Sequence, residues 1–321
     1  MATTRTTNDG AFSFYKPQAD MTEAQAQTAD SPWPVMVLAH NEERHIGACL
    51  DSILKSGCGH ALEVYVMANG CTDRTEAIVE AYGRKHPQVR LVSIRLGDKC
   101  NAWNVFVHET AVKQCPDRET YFFVDGDARF KPGSFEALHA ALLQEPYAHA
   151  ASAPPLSGRN AERDRDELIR ERGLVANLYA LRGTFVRRLF SSGVRLPLRL
   201  EGDDGLLGAL IKWDLDPHGN GFDHQRIVPC EQAGFLFESF APWSPKAWKP
   251  YWKRAVRYGR RRYEFQILGP RLKAGGLAAL PRDITEIYGD ARQLGVTWDG
   301  LYTLPNWMAL RQMRNTAAKA P

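Results

Sequence analysis

Two short acidic clusters hold the residues with the most chemical reach in this chain. Asp125-Gly126-Asp127 ends an apolar run, and Glu201-Gly202-Asp203-Asp204 precedes another. Two carboxylates flanking a glycine at a strand's C-terminal edge can share a hard divalent cation. Mg2+ takes only one or two protein carboxylates and fills its shell with phosphate oxygens and water. The glycine leaves space beside a bound diphosphate. A cation held there neutralises the charge that develops on a departing diphosphate, with no proton transfer. Asp-Gly is also a common hairpin dipeptide, so a plain turn explains the triplet as well. In the second cluster, a carboxylate that takes a proton from an attacking hydroxyl would act as a general base. The same residues read equally as a helix start whose acids suit the dipole.

The elements that must position these groups follow from hydrophobic patterning. Continuous apolar runs at 35–39, 62–68, 89–94 and 121–124 lack polar alternation and read as buried strands. Helical segments at 43–55, 73–85 and 101–114 lie between them. Another follows at 132–144, with Pro132 at its expected first position. This alternation predicts an α/β fold with a mostly parallel sheet and helices on both faces. Ligands then sit outside the carboxyl ends of the strands. All four run ends carry polar residues: His40-Asn41-Glu42-Glu43, Asn69-Gly70-Cys71-Thr72-Asp73, Asp98-Lys99-Cys100-Asn101 and the Asp-Gly-Asp triplet. Asn41 and Asp73 also suit helix capping, and Lys99 stands where a lysine meets a phosphate or nucleoside.

Composition narrows the classes. The chain has 321 residues, 44% hydrophobic and 24% charged, as in an ordinary globular protein. No apolar run is long enough to cross a membrane. The first 31 residues lack the apolar core of a secretory signal and read as a poorly ordered tail, which favours a cytoplasmic location. Six cysteines without CxxC spacing fit reduced thiols. The net charge of +4 is unevenly spread, because residues 246–262 hold eight Lys or Arg and no acid.

The ordered set of motifs resembles the family 2 glycosyltransferases, inverting enzymes of the GT-A fold that use nucleotide-sugar donors. The resemblance spans about residues 34–262 and rests on the four strand-end motifs together with Glu201-Gly202-Asp203-Asp204. It implies that His40, Asn41, Glu42 and Asn69 border the donor's base and ribose, with Lys99 near the nucleoside. Many members carry an acid where this chain has Ala68 or Asn69. Asp125 and Asp127 would hold Mg2+ or Mn2+ against the diphosphate beside Gly126, with Asp127 the more direct ligand. Asp204 would be the base and Asp203 its support. UDP-sugars are the family's commonest donors, and acceptors range over saccharides, lipid-linked or not, and small molecules.

The second half yields less. Residues 162–182 read as a helix that is charged first and apolar later, from the spacing of Leu168, Val175, Leu178 and Leu181. Asp214, Asp216, His218, Asp223 and His224 lie in a Gly-rich loop, where polar residues are commoner than metal ligands. In the basic block, Trp252, Val256, Gly259 and Tyr263 share one helical stripe and Arg254, Arg257 and Arg261 another. Arg257 would close over the diphosphate, or the block would rest on an anionic membrane; nucleic-acid binding has no recognised module to support it. The Gln-x-x-Arg-Trp motif of polymerising members is absent, which points to a non-processive enzyme. The expected organisation is a tail at 1–31, a catalytic domain at 32–240, and a basic-aromatic helical extension at 241–321. A sugar-phosphate nucleotidyltransferase would want a Gly-rich phosphate loop after the first strand, which residues 40–45 do not offer. A retaining GT-A enzyme and a non-catalytic nucleotide-sugar binder complete the alternatives.

Overall fold

A computed structural model of the chain describes residues 31–56, 59–238, 248–296 and 298–319, with backbone alone at 248–249. The expected tail at 1–31 therefore lies almost wholly outside the described residues, as do 239–247 in the basic block.

Nine strands form among the described residues. β1 (Trp33–Ala39), β2 (Leu62–Asn69), β3 (Val89–Ile94) and β4 (Thr120–Asp125) are the four apolar runs, and they pair in parallel. β5 (Arg129–Phe130), β6 (Ala150–Ser152), β7 (Leu178–Arg182), β8 (Ile227–Pro229) and β9 (Phe235–Leu236) follow. The main sheet has the order β3-β2-β1-β4-β7-β6-β8, and β5 pairs separately with β9. β7 runs antiparallel to both β4 and β6, so the sheet is mixed and mostly parallel.

The alternation of side chains explains why the central runs are apolar throughout. Val35, Val37, Phe122 and Val124 enter one buried cluster, while Met36, Leu38, Tyr121 and Phe123 enter the other. Both sheet faces are covered, so no position can be polar without losing burial worth about 1.5–3 kcal/mol for a large side chain.

The helices are α1 (Ile46–Ser56), α2 (Thr75–Lys85), α3 (Lys99–Val105), α4 (Ser134–Gln144), α5 (Ala161–Glu171), α6 (Gly183–Ser191), α7 (Asp203–Lys212), α8 (Trp248–Gly275) and α9 (Thr303–Ala317). α3 continues through a π-helical turn, Phe106–Thr110, into Ala111–Gln114. α4 starts at Ser134 with Gly133 as its cap, two residues beyond the proline expected at its head.

One expected helix is corrected. Residues 162–182 divide: α5 ends at Arg172 in a left-handed conformation, and 178–182 become β7. Leu178 and Leu181 are fully buried against the sheet, one on each face. The spacing 168, 175, 178, 181 mimics a helix because it joins one helical residue, one loop residue and two from a strand.

α8 joins the core of the sheet. Its Val256, Tyr263, Ile267, Leu268 and Leu272 lie in the same buried cluster as Met36 and Phe123. α9 packs on it where Gly259 meets Asn306 and Ala309.

Candidate active site

Strand alternation decides what the Asp-Gly-Asp triplet can reach. Asp125 continues the Tyr121 and Phe123 face and points toward α3 and α7, where its carboxylate lies 3.1 Å from Lys99 Nζ. The sequence places Lys99 beside a nucleoside; in the structure its ammonium sits between two carboxylates, with Asp203 at 3.3 Å. Burial opposes the charged amine, yet Asp125, Asp203 and Asp204 together outweigh it and hold the Lys99 pKa well above its ordinary value.

Gly126 is required for a reason other than ligand clearance. Its N–H donates to Leu38 O at 2.7 Å, and a Cβ there would lie 2.8 Å from the same oxygen. The glycine lets the chain cross the end of β1, which carries Asp127 out into solvent. Asp127 is exposed and has no ion pair among the described residues.

α7 supplies the second pair of acids. Gly202 caps it with a φ of 93°, in the left-handed region that favours glycine. Asp203 and Asp204 fall in its first turn, where the helix dipole stabilises negative charge. Asp204 Oδ1 accepts from the N–H of Gly205 at 2.8 Å and lies 3.2 Å from Arg261 Nη2. A Cβ on Gly202 would sit 2.6 Å from Arg261 Nε, so this glycine also clears the arginine's path.

Three residues of α8 hold the acidic turn from behind. Arg260 pairs with Glu201, and Arg261 pairs with Asp204. The fully buried Glu264 accepts from the Glu201 N–H at 2.9 Å and from the Tyr288 hydroxyl at 2.6 Å. Glu264 and Tyr288 were not foreseen, since nothing in their sequence surroundings distinguishes them from helix-surface residues. Arg257, the residue expected over the diphosphate, stands exposed one turn before Arg261 with no ion pair among the described residues. The sequence identified the basic stripe but not which of its members reaches the acids.

The loops after β1 and β2 are tied together. His40 Nδ1 donates to Asn69 O at 2.6 Å, which leaves Nε2 to accept from the Asn41 amide at 3.3 Å. Asn41 does not cap α1. It takes a φ of 57°, and its Oδ1 accepts from the Thr72 N–H at 2.8 Å. Asn69 is buried and donates its amide to Ala39 O at 2.8 Å. Its side chain is therefore committed to joining β1 and β2. Asp73 accepts from the N–H groups of Glu43 and Thr75, which closes the same corner. Glu42 carries a 3.0 Å contact to His45, whose other nitrogen lies 3.5 Å from Glu238.

The donor set fits a hard divalent cation. Glu42, Asp125, Asp127, Asp203 and Asp204 gather around few compensating charges, chiefly Lys99, Arg261 and His45. Burial pushes the carboxyls of Glu42, Asp125 and Asp204 above the usual range. Their neighbours' negative charge adds to it: Asp127 and Asp125 on Glu42, Asp203 and Asp127 on Asp125, and Asp203 on Asp204. Among the described residues no three His, Cys, Asp or Glu side chains close on one point as a metal cage. A cation held by one or two of these aspartates would complete its shell with oxygens from what it binds.

The Gly-rich loop after α7 does other work. Asp214 Oδ1 lies 2.8 Å from His149 Nε2 and pairs with Arg188 and Arg226, while Asp223 accepts from the Tyr147 hydroxyl. Cys49, Cys71, Cys100, Cys115 and Cys230 are free thiols.

Residues 32–185 match the family model described as "Glycosyltransferase like family 2". No curated protein sequence matches the chain. Among solved structures it is similar to the mannosyltransferase PcManGT from Pyrobaculum calidifontis, in complex with GDP-Man and Mn2+. That likeness has 17% identity over 92% of this chain and 91% of that one, with a TM-score of 0.54. A mycobacterial protein shares 23% identity over 79% and 80%, with a TM-score of 0.51. Glucosyl-3-phosphoglycerate synthase from Mycobacterium tuberculosis, in complex with phosphoglyceric acid, shares 20% over 78% and 85%, with a TM-score of 0.50. The chain is built on the GT-A fold, and its residues 32–185 are a family 2 glycosyltransferase domain that makes it a glycosyltransferase.

Proposed function

We propose that the chain moves a sugar from a nucleoside-diphosphate donor to an acceptor hydroxyl in one inverting, non-processive displacement. One observation carries this reading: three elements separate in sequence meet at the carboxyl edge of the sheet, where Lys99 pairs with both Asp125 and Asp203 and Asp204 follows in the same helical turn. Asp127, exposed beside them and free of ion pairs among the described residues, would be the direct ligand for Mg2+ or Mn2+, with Asp125 assisting. When bound, the cation supplies charge neutralisation to the departing diphosphate. Asp204 accepts the acceptor's proton, and burial beside Asp203 raises its affinity for that proton. Asp203 fixes Lys99, which keeps the acids from repelling one another. His40, Asn41, Glu42 and Asn69 border the base and ribose. Arg257 lies on the helical face that Arg261 extends toward the site.

A UDP-sugar remains the donor suggested by family frequency, while the GDP-Man and Mn2+ of PcManGT supports a metal-bound nucleotide on this fold. The acceptor class is a saccharide, lipid-linked or free, or a small molecule. Calorimetry with UDP, GDP and dTDP, with and without Mn2+, tests the reading on the wild type and Asp127→Asn. Metal-dependent binding of one nucleotide, lost in the variant, is expected. If no nucleotide binds under either metal condition, the donor assignment is wrong.

A further inference from the structure

α8 and the segment before α9 form a single exposed face whose composition is not explained by donor binding. Tyr251, Trp252 and Tyr258 of α8 are exposed, as are Trp298, Leu301 and Tyr302 of the neighbouring segment. Trp298 is 87% exposed and Leu301 94%. The two stretches are held together: Tyr251 and Tyr302 share a hydrogen bond, and Arg262 reaches Asp299 at 2.7 Å. Large apolar side chains this open are seldom grouped on a soluble surface without a partner.

The unpaired charges among these rings have one sign. Lys253, Arg254, Arg257 and Arg311 are exposed and have no ion pair among the described residues. Asp299 is the only acid within 248–262 and 298–311, and Arg262 neutralises it. Two of the free cations rest on aromatic rings: Arg254 lies 5.3 Å from the Tyr258 centroid, and Arg311 lies 5.3 Å from that of Trp307. Arginine heads beside aromatic bodies, with an aliphatic residue projecting beyond them, are suited to a boundary between water and acyl chains.

We propose that this face docks on an anionic phospholipid surface, with Trp298 and Leu301 entering the headgroup region and Lys253, Arg254, Arg257 and Arg311 meeting lipid phosphates. A second copy of the chain is a poorer occupant, because a two-fold contact would set the same unneutralised cations against one another. Single-stranded nucleic acid would satisfy the charge but offers nothing to the aliphatic Leu301. The face begins about 6 Å along α8 from Arg261, four residues at 1.5 Å each. The proposal does not rest on the sugar-transfer reading, since it concerns surface residues with no part in the acidic cluster.

The test is co-sedimentation of the full chain with vesicles of phosphatidylcholine, with and without phosphatidylglycerol, at rising salt. Binding to the anionic vesicles alone, weakening as salt screens the charges, is expected. Lys253→Gln with Arg254→Gln lowers the partition coefficient roughly 30-fold, about fivefold for each charge removed. Trp298→Ser with Leu301→Ser weakens it while leaving nucleotide binding unchanged. The proposal is overturned by equal binding to neutral vesicles, or by anionic binding that both variants retain. It is overturned equally if the chain ignores vesicles and instead dimerises or binds single-stranded DNA through these residues.

Discussion

Arg261 Nη2 lies 3.2 Å from Asp204 Oδ1 and so joins the middle of α8 to the first turn of α7. Burial raises the Asp204 pKa, the arginine lowers it, and Asp203 raises it again. A general base must be ionised before it acts, so with Asp204 as the proposed base Arg261 would set how far down in pH activity extends. Arg261→Gln removes the lowering influence, and the acid limb of the kcat profile moves to higher pH. The variant should lose more activity near pH 6 than near pH 8, roughly tenfold for each unit of displacement. Asp204→Asn lowers kcat by roughly 100- to 10,000-fold at every pH. Superimposable acid limbs for wild type and Arg261→Gln would show that Asp204 is not the titrating base.

Lys99 is the internal counterion of the site. Removing it leaves Asp125, Asp203 and Asp204 facing one another with only Arg261 to offset them. Lys99→Met should therefore destabilise the protein by about 1–2 kcal/mol, the cost of breaking a buried pair reduced for the lysine's partial exposure. The same loss makes room for a divalent cation. The rise in melting temperature on adding Mn2+ should be larger in the variant than in the wild type, since a ligand bound only by the folded state stabilises it. An unchanged Mn2+ response would show that the lysine and the cation do not share these carboxylates.

The legibility of this chain follows the range of the interactions involved. β1 to β4 could be read because each strand is buried on both faces, and burial by itself makes the run continuous. Asp125, Asp127, Asp203 and Asp204 could be read because each follows or opens an element whose end is marked locally, by a strand terminus or by Gly202. Residues 178–182 read as helix because only pairing with β4 and β6, both distant in sequence, makes them a strand. Arg261 was passed over for Arg257 because one helical turn separates them on one stripe. Only the approach of α7 decides which of the two meets an acid. Glu264 left no trace, since its partners, Glu201 and Tyr288, lie in other elements.

Glu264 is a further titratable group that bears on the site. Burial raises its pKa to about 7, against the opposing hydrogen bonds from Tyr288 and the Glu201 N–H and the charge of Arg260. In the unfolded chain the carboxyl ionises near its ordinary value of 4.5, whereas in the fold it keeps its proton to about 7. The folded state thus binds more protons in that window, and stability falls as pH rises through it. The loss is on the order of 3 kcal/mol, complete above about pH 7. Glu264→Gln keeps the shape and an acceptor for the Glu201 N–H but cannot ionise. Denaturant unfolding of the two proteins should therefore diverge in favour of the glutamine as pH rises from about 5 to about 8. The glutamine should also hold KM closer to its wild-type value than Glu264→Ala, which frees the Glu201 N–H and loosens the turn that carries Asp203 and Asp204. A stability difference that stays constant across this range would show that Glu264 ionises alike in both states and exerts no pH control over that turn.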